Sequence, residues 1–214
     1  MDELAKGLWR WTARHPEWHP GQWGSEVACF AVDAGDVMLL VDPLVDEPDQ
    51  LDAVVDKPVA ILITIPYHIR SAEPLRKRYK GTIHGHKNVA DRLGSTTGFK
   101  PIEPGEELPG GARAYTIGKP RRFEMPIHLP SHQALATGDA LVTTLEGDLR
   151  LWHWRDRVDA DRVRWYRERF NPTLQPLLEL DLERILVTHG PPILSYGSAA
   201  LQAAVDAEPW YHAG

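Results

Sequence analysis

Histidine is the residue type with the most chemical potential in this sequence, since the 214-residue chain has ten histidines beside eight tryptophans and a single cysteine. Imidazole is the commonest metal ligand and the usual acid or base near neutral pH. A single cysteine excludes an intramolecular disulfide scaffold and four-cysteine zinc sites. The first question is therefore whether some of these histidines form a site.

One candidate pair, His68 and Arg70, directly follows an apolar, β-branched run at 60–65 that prolines bound on both sides. At the end of a buried strand, His68 is suited to act as an acid, a base or a metal ligand. Arg70 is suited to bind an anion. The alternative interpretation is a loop histidine and a helix-start arginine that both face water.

A second candidate pair, His84 and His86, follows a short predicted strand. In an extended chain the side chains of alternate residues lie on one side, so His84 and His86 would form a ligand pair. The alternative is a polar surface turn beside Gly85 and Lys87, which the composition favours.

The elements that must position these residues follow from apolar periodicity and from turn residues. The pattern predicts strands at 8–12, 27–32, 37–41, 60–65, 82–84, 112–116, 123–129, 140–144 and 185–188. It predicts helices at 71–79, 88–93, 159–170, 173–180 and 198–206, with Ser71 as the first N-cap. Hairpin strands, then strand–helix alternation, then further strands indicate a sheet sandwich flanked by helices.

Charge and hydropathy exclude several classes of partner. The formal net charge of −6 gives no long-range attraction to nucleic acid or to an anionic lipid surface. The apolar runs at 37–41 and 61–65 are too short to cross a bilayer. The N-terminus has early acids and no apolar segment of the signal-peptide kind, which predicts a cytoplasmic protein.

Four segments end in polar residues at predicted strand ends. They read LLVDPLV at 39–45, ILITIPYHIRSAEPL at 61–75, LPSHQALATGDAL at 129–141 and ILVTHGPP at 185–192. In this order and spacing they resemble the metallo-β-lactamase-fold superfamily, over nearly the whole chain. The resemblance implies an α/β fold, a four-layer αββα sandwich, in one domain spanning 1–214.

The resemblance also implies a site for two metal ions, yet most ligand positions hold other residues. The second segment normally reads THxHxDHxGG in this family. Aligned on Thr64, Ile65 and Tyr67 stand where the family has two histidines. Ile69 stands in place of the aspartate and Arg70 in place of the next histidine. Isoleucine offers no donor atom, and arginine is a fixed cation that repels an ion.

Two ligands survive by this alignment: Asp139 after Gly138, and His189 before Gly190. We expect Asp139 and His189 to share a cleft. The third family histidine falls in the Gly118-Lys119-Pro120 turn, where Lys119 or the proline replaces it. His68 is present but stands one residue out of phase.

The resembled fold also gives a role to the N-terminal loop, which can overhang the mouth of the active site. Here that loop holds Trp18 and Trp23 beside His15 and His19. These aromatic side chains could bind an apolar substrate or a partner, or they could pack against the sandwich rim. The remaining histidines considered are interpreted as surface residues: His132, His153 and His212.

Two classes of function follow from this ligand set. The first is a divergent protein of this fold that has lost the dinuclear site, binds no metal, and is non-catalytic or binds a small molecule. In it, Arg70 is expected to pair with Asp139, because a guanidinium would replace the lost metal charge.

The second class is a hydrolase of a small ester or lactone. It would use at most one divalent metal, zinc or iron, held by Asp139, His189 and a recruited His68 or His84/His86. Otherwise it would use a metal-free site of His68, Arg70, Asp139 and His189, with Lys119 in the same cleft.

Overall fold

The computed structural model describes residues 1–15, 17–20, 23–154 and 157–212. The strands of these residues are β1 (Asp2–Ala5), β2 (Leu8–Arg14), β3 (Glu26–Asp33), β4 (Met38–Val41), β5 (Val59–Ile63), β6 (Thr82–Gly85), β7 (Phe99–Pro101), β8 (Arg113–Ala114), β9 (Ile127–Leu129), β10 (Ala134–Ala136), β11 (Leu141–Thr143), β12 (Leu149–Leu151) and β13 (Arg184–Leu186). The α-helices are α1 (Ala72–Tyr79), α2 (Ala160–Trp165), α3 (Gln175–Leu178) and α4 (Gly197–Asp206).

The larger sheet has seven strands in the order β1-β2-β3-β4-β5-β6-β7. The first four strands pair antiparallel, as the hairpin turns require, and β4 to β7 pair parallel. All five residues of β5 are buried, because α1 and the second sheet cover its two faces. This is why the sequence of β5 is a continuous apolar run rather than an alternating one.

A four-stranded sheet in the order β13-β10-β9-β8 packs on the first, and β11 pairs with β12 beside it. In this sheet β10 and β13 are parallel neighbours, with Ala136 opposite Leu186. Parallel neighbours end at the same edge of a sheet. The residues that follow these two strands, Asp139 and His189, are therefore brought to one edge.

The core is layered as the sequence predicts. One apolar cluster lies between the sheets and joins residues such as Phe30 and Leu62 to Ile127 and Leu186. A second lies between the larger sheet and α1, where Leu75 is fully buried. A third covers the outer face of the smaller sheet with helical residues, among them Tyr166, Phe170 and Leu201. Helices thus flank both sheets, in the expected αββα order.

Most predicted elements form close to the predicted bounds, and three differences are informative. The predicted strand at 123–129 shortens to β9, because residues 121–124 form a turn in which the Glu124 N–H donates to the Arg121 carbonyl at 2.7 Å. The helix predicted at 159–170 changes after α2 into a π-helical turn at Tyr166–Phe170. Ser71 does not cap α1, since its hydroxyl exchanges hydrogen bonds with the backbone of Val45.

The sequence pattern did not predict several short strands, notably β1, β7, β10 and β12. Three or four residues give too little alternation of apolar and polar side chains to detect. Within the described residues, helix length and hydropathy identify no helix that could cross a membrane.

Gly190 follows β13 at a point where the backbone packs closely against Thr143, the last residue of β11. Its φ is +93°, a conformation that side chains with a Cβ rarely adopt, and a Cβ there would collide with the backbone oxygen of Thr143. Thr143 N donates to the carbonyl of His189 at 3.0 Å. The glycine thus permits the backbone contact that holds His189 at the sheet edge.

We expect Gly190→Ala to destabilise the protein more than Gly147→Ala does. Gly147 has a matching φ of +92° but open space around its Cα. Gly147→Ala should therefore cost about 1–2 kcal/mol of unfolding free energy, for backbone strain alone. Gly190→Ala should cost a further ~1–3 kcal/mol for the collision. Urea unfolding of both variants measures the difference, and equal losses would contradict this role of Gly190.

Candidate functional site

Polar side chains from four strand ends meet at one edge of the sandwich. Asp42 follows β4, His68 follows β5, Asp139 follows β10 and His189 follows β13. All four side chains are at least nine-tenths buried. In α/β folds, functional groups commonly lie at the carboxyl ends of parallel strands, as these four side chains do.

Asp42 fixes the orientation of His68. Its Oδ1 accepts from the Thr64 backbone N–H at 2.8 Å, and its Oδ2 accepts from the Thr64 hydroxyl. The same Oδ2 lies 2.8 Å from His68 Nδ1. With Nδ1 bound to a carboxylate, the opposite ring nitrogen, Nε2, is directed toward Asp139.

His68 reaches the site because Pro66–His68 forms a 3₁₀ turn instead of extended chain. The turn places the out-of-phase histidine where a regular strand would not. Burial and the charge of Arg70 oppose protonation of His68, but the carboxylates of Asp42 and Asp139 outweigh them and raise its pKa. His68 therefore holds a proton more readily than a free imidazole does.

Asp139 lies at the centre of the site. Its Oδ2 accepts from the Tyr67 hydroxyl at 2.9 Å and lies 3.9 Å from Arg121 Nη1. Its Oδ1 lies 3.5 Å from His68 Nε2 and 3.7 Å from His189 Nε2. Burial alone would raise the pKa of Asp139, but the neighbouring His68, His189 and Arg121 lower it well below its usual range.

His189 has the opposite electrostatic setting. Burial lowers its pKa to about 4, although Asp139 opposes the shift, so the ring is neutral at neutral pH. Its Nδ1 is buried without a hydrogen-bond partner among the described residues. The backbone of Gly24 packs so closely that a Cβ there would stand 2.8 Å from this nitrogen.

Arg121 is held between two tryptophans. Its guanidinium carbon lies 5.3 Å from the ring centroid of Trp152 and 5.2 Å from that of Trp154. Its Nη2 donates to the Trp152 carbonyl at 3.3 Å. These contacts fix a cation beside Asp139 by cation–π attraction.

Glu124 positions the Asp139 backbone. Its two carboxylate oxygens accept from the N–H groups of Gly138, at 2.9 Å, and of Asp139, at 3.0 Å. Burial raises the pKa of Glu124 to about 7. A Cβ on Gly138 would collide with Thr64, so this turn packs tightly against the end of β5.

A cavity of about 440 Å³ opens beside Asp139. Its aromatic wall comprises Trp18, Trp23, Trp152, Trp154, Tyr67, His15, His153, His189 and His212. Glu17 and Asp139 supply its acidic side chains, and His68 adds a further imidazole. Beyond Tyr67 and Arg121 lies a second cavity of about 530 Å³, whose lining includes Asn88, Asp91, Arg92 and Phe123.

Five of the predicted site residues come together: His68, Asp139 and His189 by direct approach, and Trp18 and Trp23 in the wall of the cavity. Sequence reasoning missed Tyr67, Arg121 and Glu124. Tyr67 occupies a position where the resembled family has a metal-binding histidine, which is the one signal that pointed to it.

The prediction that Arg70 forms an ion pair with Asp139 is wrong. Arg70 Nη1 donates instead to the backbone oxygen of Asp42 at 2.9 Å. Lys119 is exposed and does not line the cavity. Arg121, two residues after Lys119, supplies the cation beside Asp139 that Arg70 was expected to supply.

His84 and His86 lie away from the site around Asp139. His84 Nε2 lies 2.9 Å from the Thr82 hydroxyl, in a separate cavity shared with Lys100. His86 accepts from the Asn88 N–H and packs against Phe123. Neither histidine lines the cavity beside Asp139.

Two histidines interpreted as surface residues belong to the cavity wall. His153 is buried, and its Nδ1 lies 3.3 Å from the Tyr166 hydroxyl. His212 packs 5.3 Å from Trp23. The N-terminal loop and the C-terminal segment therefore close over the same space.

Comparison with known proteins identifies the fold. No family model matches the sequence, and no curated protein matches it. A metallo-β-lactamase from Pontibacter korlensis superposes with a TM-score of 0.65 at 14% identity, over 97% of this chain and 98% of that one. One from Erythrobacter litoralis, with β-mercaptoethanol in its active site, gives 0.63 at 17%, over 96% and 93%.

A third similar structure, solved in a di-iron-bound form, gives a TM-score of 0.56 at 19% identity, over 86% of this chain and 96% of that one. At these identities the likeness shows the fold, and this chain has the metallo-β-lactamase fold.

The residues present do not fit the two-metal group of this fold. Within 1–15, 17–20, 23–154 and 157–212, no group of three or more His, Cys, Asp or Glu side chains could hold a metal ion. Asp139 Oδ2 is bound to Tyr67 and faces the Arg121 guanidinium, which repels a cation. Ile65 and Ile69 offer no donor atom at their family positions.

We expect His189→Gln to reduce the loss of stability in mild acid. The pKa of His189 is about 4 in the folded state against an ordinary value of 6.5. The unfolded chain therefore takes up the proton first, and stability falls as the pH drops from about 6.5 toward 4. Between pH 7 and pH 5 the histidine should account for about 2 kcal/mol of that loss.

Urea unfolding at both pH values measures this effect, with His132→Gln as the control because it removes a half-exposed imidazole outside the cleft. Equal pH-dependent losses in the wild type and His189→Gln would show that His189 is not held neutral.

Proposed function

We propose that this protein binds a small molecule without a metal ion, in the tryptophan-lined cavity at the end of the sandwich. One observation carries the proposal. The buried carboxylate of Asp139, which bridges two metals in the resembled family, is compensated here by protein groups: Tyr67, His68 and Arg121.

The electrostatics support metal independence. A divalent ion beside Asp139 would stand close to the Arg121 guanidinium, which two tryptophan rings hold in place. Two cations at such separations repel strongly in a buried site.

The shape of the cavity supports small-molecule binding. A volume of about 440 Å³ falls in the range of ordinary ligand pockets, which are mostly apolar with a few polar groups. Four tryptophans and several imidazoles supply the apolar surface, and Asp139 is the polar group at its base. The chain's formal charge of −6 supports a small-molecule ligand over nucleic acid.

A second candidate function, hydrolysis of a small ester or lactone, is favoured by the hydrogen bond between Asp42 and His68. A carboxylate that orients an imidazole is the arrangement of general acid–base catalysis. The neutral His189 would accept a proton from water as the water oxygen bonds to the carbonyl carbon. His68, in its protonated form, would donate a proton to the alkoxide oxygen as the bond between that oxygen and the carbonyl carbon breaks.

Metal content tests the proposed function. Protein purified without chelators, and without a metal-binding tag, should contain less than roughly 0.1 equivalent of zinc or iron per chain by elemental analysis. Since a metal that binds only the folded state raises its stability, EDTA should leave the melting temperature unchanged. Asp139→Asn is the control, because it would lose metal bound in the cleft and retain metal bound elsewhere.

Stoichiometric metal in the wild type that Asp139→Asn loses would contradict metal independence. Turnover of p-nitrophenyl acetate or of a simple lactone by EDTA-treated protein would favour the hydrolase, provided His68→Gln abolishes it and His132→Gln does not.

A further inference from the structure

We propose that the cavity of about 530 Å³ beyond Tyr67 is a second binding site, which takes a small aromatic carboxylate. It is distinct from the tryptophan-lined cavity of the proposed function, although Tyr67 lines both. Every residue of its lining belongs to the described part of the chain. An accessible arginine, exposed aromatic rings and a locally positive charge distinguish this cavity.

Arg92 supplies the accessible cation. It is the last residue of the 3₁₀ helix Lys87–Arg92, it is exposed, and it lines the cavity. Its guanidinium carbon lies 5.9 Å from the centroid of the Tyr67 ring, and it forms no ion pair with an acid of the described residues. A cation–π contact leaves guanidinium N–H groups available, and they can donate two parallel hydrogen bonds to one carboxylate.

The walls beside Arg92 include aromatic rings that the protein covers only in part. Tyr67 is 46% exposed and Phe123 is 39% exposed, and both line the cavity. Phe123 is held by the His86 ring, with centroids 5.3 Å apart, and by the Arg122 guanidinium carbon, 4.6 Å from its centroid. A ligand that covers these rings gains the free energy of apolar burial, and an aromatic ligand adds ring–ring attraction.

The segments that border the cavity are positively charged, although the whole chain is negative. KNVADR at 87–92 and GKPRRF at 118–123 hold five basic residues against one acid, in a chain whose formal net charge is −6. A local excess of positive charge draws anions toward the cavity and disfavours amines.

The same charges favour a ligand with a single negative charge. Arg121 has only 8% of its side chain exposed and stands 3.9 Å from Asp139, so its charge is already engaged. Arg92 is then the cation of the lining that an anion can reach. Asp91, also in the lining, would repel a second negative charge. A carboxylate meets this requirement, whereas a phosphate monoester carries close to two charges at neutral pH.

Titration calorimetry at low ionic strength tests this class with three probes of similar shape. Phenylacetate carries the ring and the carboxylate, 2-phenylacetamide keeps the shape without the charge, and phenyl phosphate adds a second charge. Protein freed of metal by a chelator and then dialysed should bind phenylacetate at least about tenfold more tightly than 2-phenylacetamide, because only the carboxylate forms charge-assisted hydrogen bonds. Phenyl phosphate should bind no more tightly than phenylacetate.

Arg92→Gln locates the site. Loss of the cation should weaken phenylacetate binding at least about tenfold and leave 2-phenylacetamide binding nearly unchanged. Lys87→Gln is the matched control, since it removes an exposed cation from the same 3₁₀ helix and Lys87 does not line the cavity. The control should bind phenylacetate within about twofold of the wild type.

The second site is overturned if the wild type shows no phenylacetate binding up to about 10 mM, or if phenylacetate binds no better than its amide. Equal phenylacetate affinities of Arg92→Gln and Lys87→Gln would also overturn it, and tighter binding of phenyl phosphate would overturn the carboxylate class. The probe series uses the wild type, so it decides the question even if a variant fails to fold. Cleft-bound metal, which would contradict the proposed function, is measured separately.

Discussion

The buried charge of Asp139 is the constraint on which the rest of the site depends. An isolated carboxylate in a protein interior is too unfavourable to persist, so the fold must supply compensating charge and hydrogen bonds. Here the compensation comes from the chain itself. Tyr67 donates to one oxygen, Arg121 stands beside it, and the imidazoles of His68 and His189 face the other.

Each of these groups is in turn held in place by contacts with other residues, some of them buried at strand ends. Asp42 holds His68 while bonded to Thr64 at the end of β5. Glu124 holds the Asp139 backbone from the turn before β9. Two tryptophans hold Arg121 in place. The αββα sandwich brings these separate strand ends to one edge, and the tryptophan-lined cavity forms over them.

The sequence predicted the scaffold better than the site. Apolar runs such as that of β5 and the hairpin of β3 and β4 are strong local signals, and the Gly-Asp and His-Gly turns correctly predicted that Asp139 and His189 meet. The cation beside Asp139 was assigned to Arg70, because spacing does not reveal which side chain a turn directs inward. A 3₁₀ turn and a strand shortened at 123–126 decide those orientations for His68 and Glu124, and neither has a periodic pattern.

Crystallography with anomalous diffraction at the zinc and iron absorption edges tests most directly whether protein groups have replaced the metals around Asp139. We expect the Tyr67 hydroxyl and the Arg121 guanidinium to contact the Asp139 carboxylate, with no anomalous peak beside it. A peak about 2.0–2.2 Å from Asp139 Oδ1 and His189 Nε2, with Arg121 displaced, would contradict metal-independent compensation of this charge.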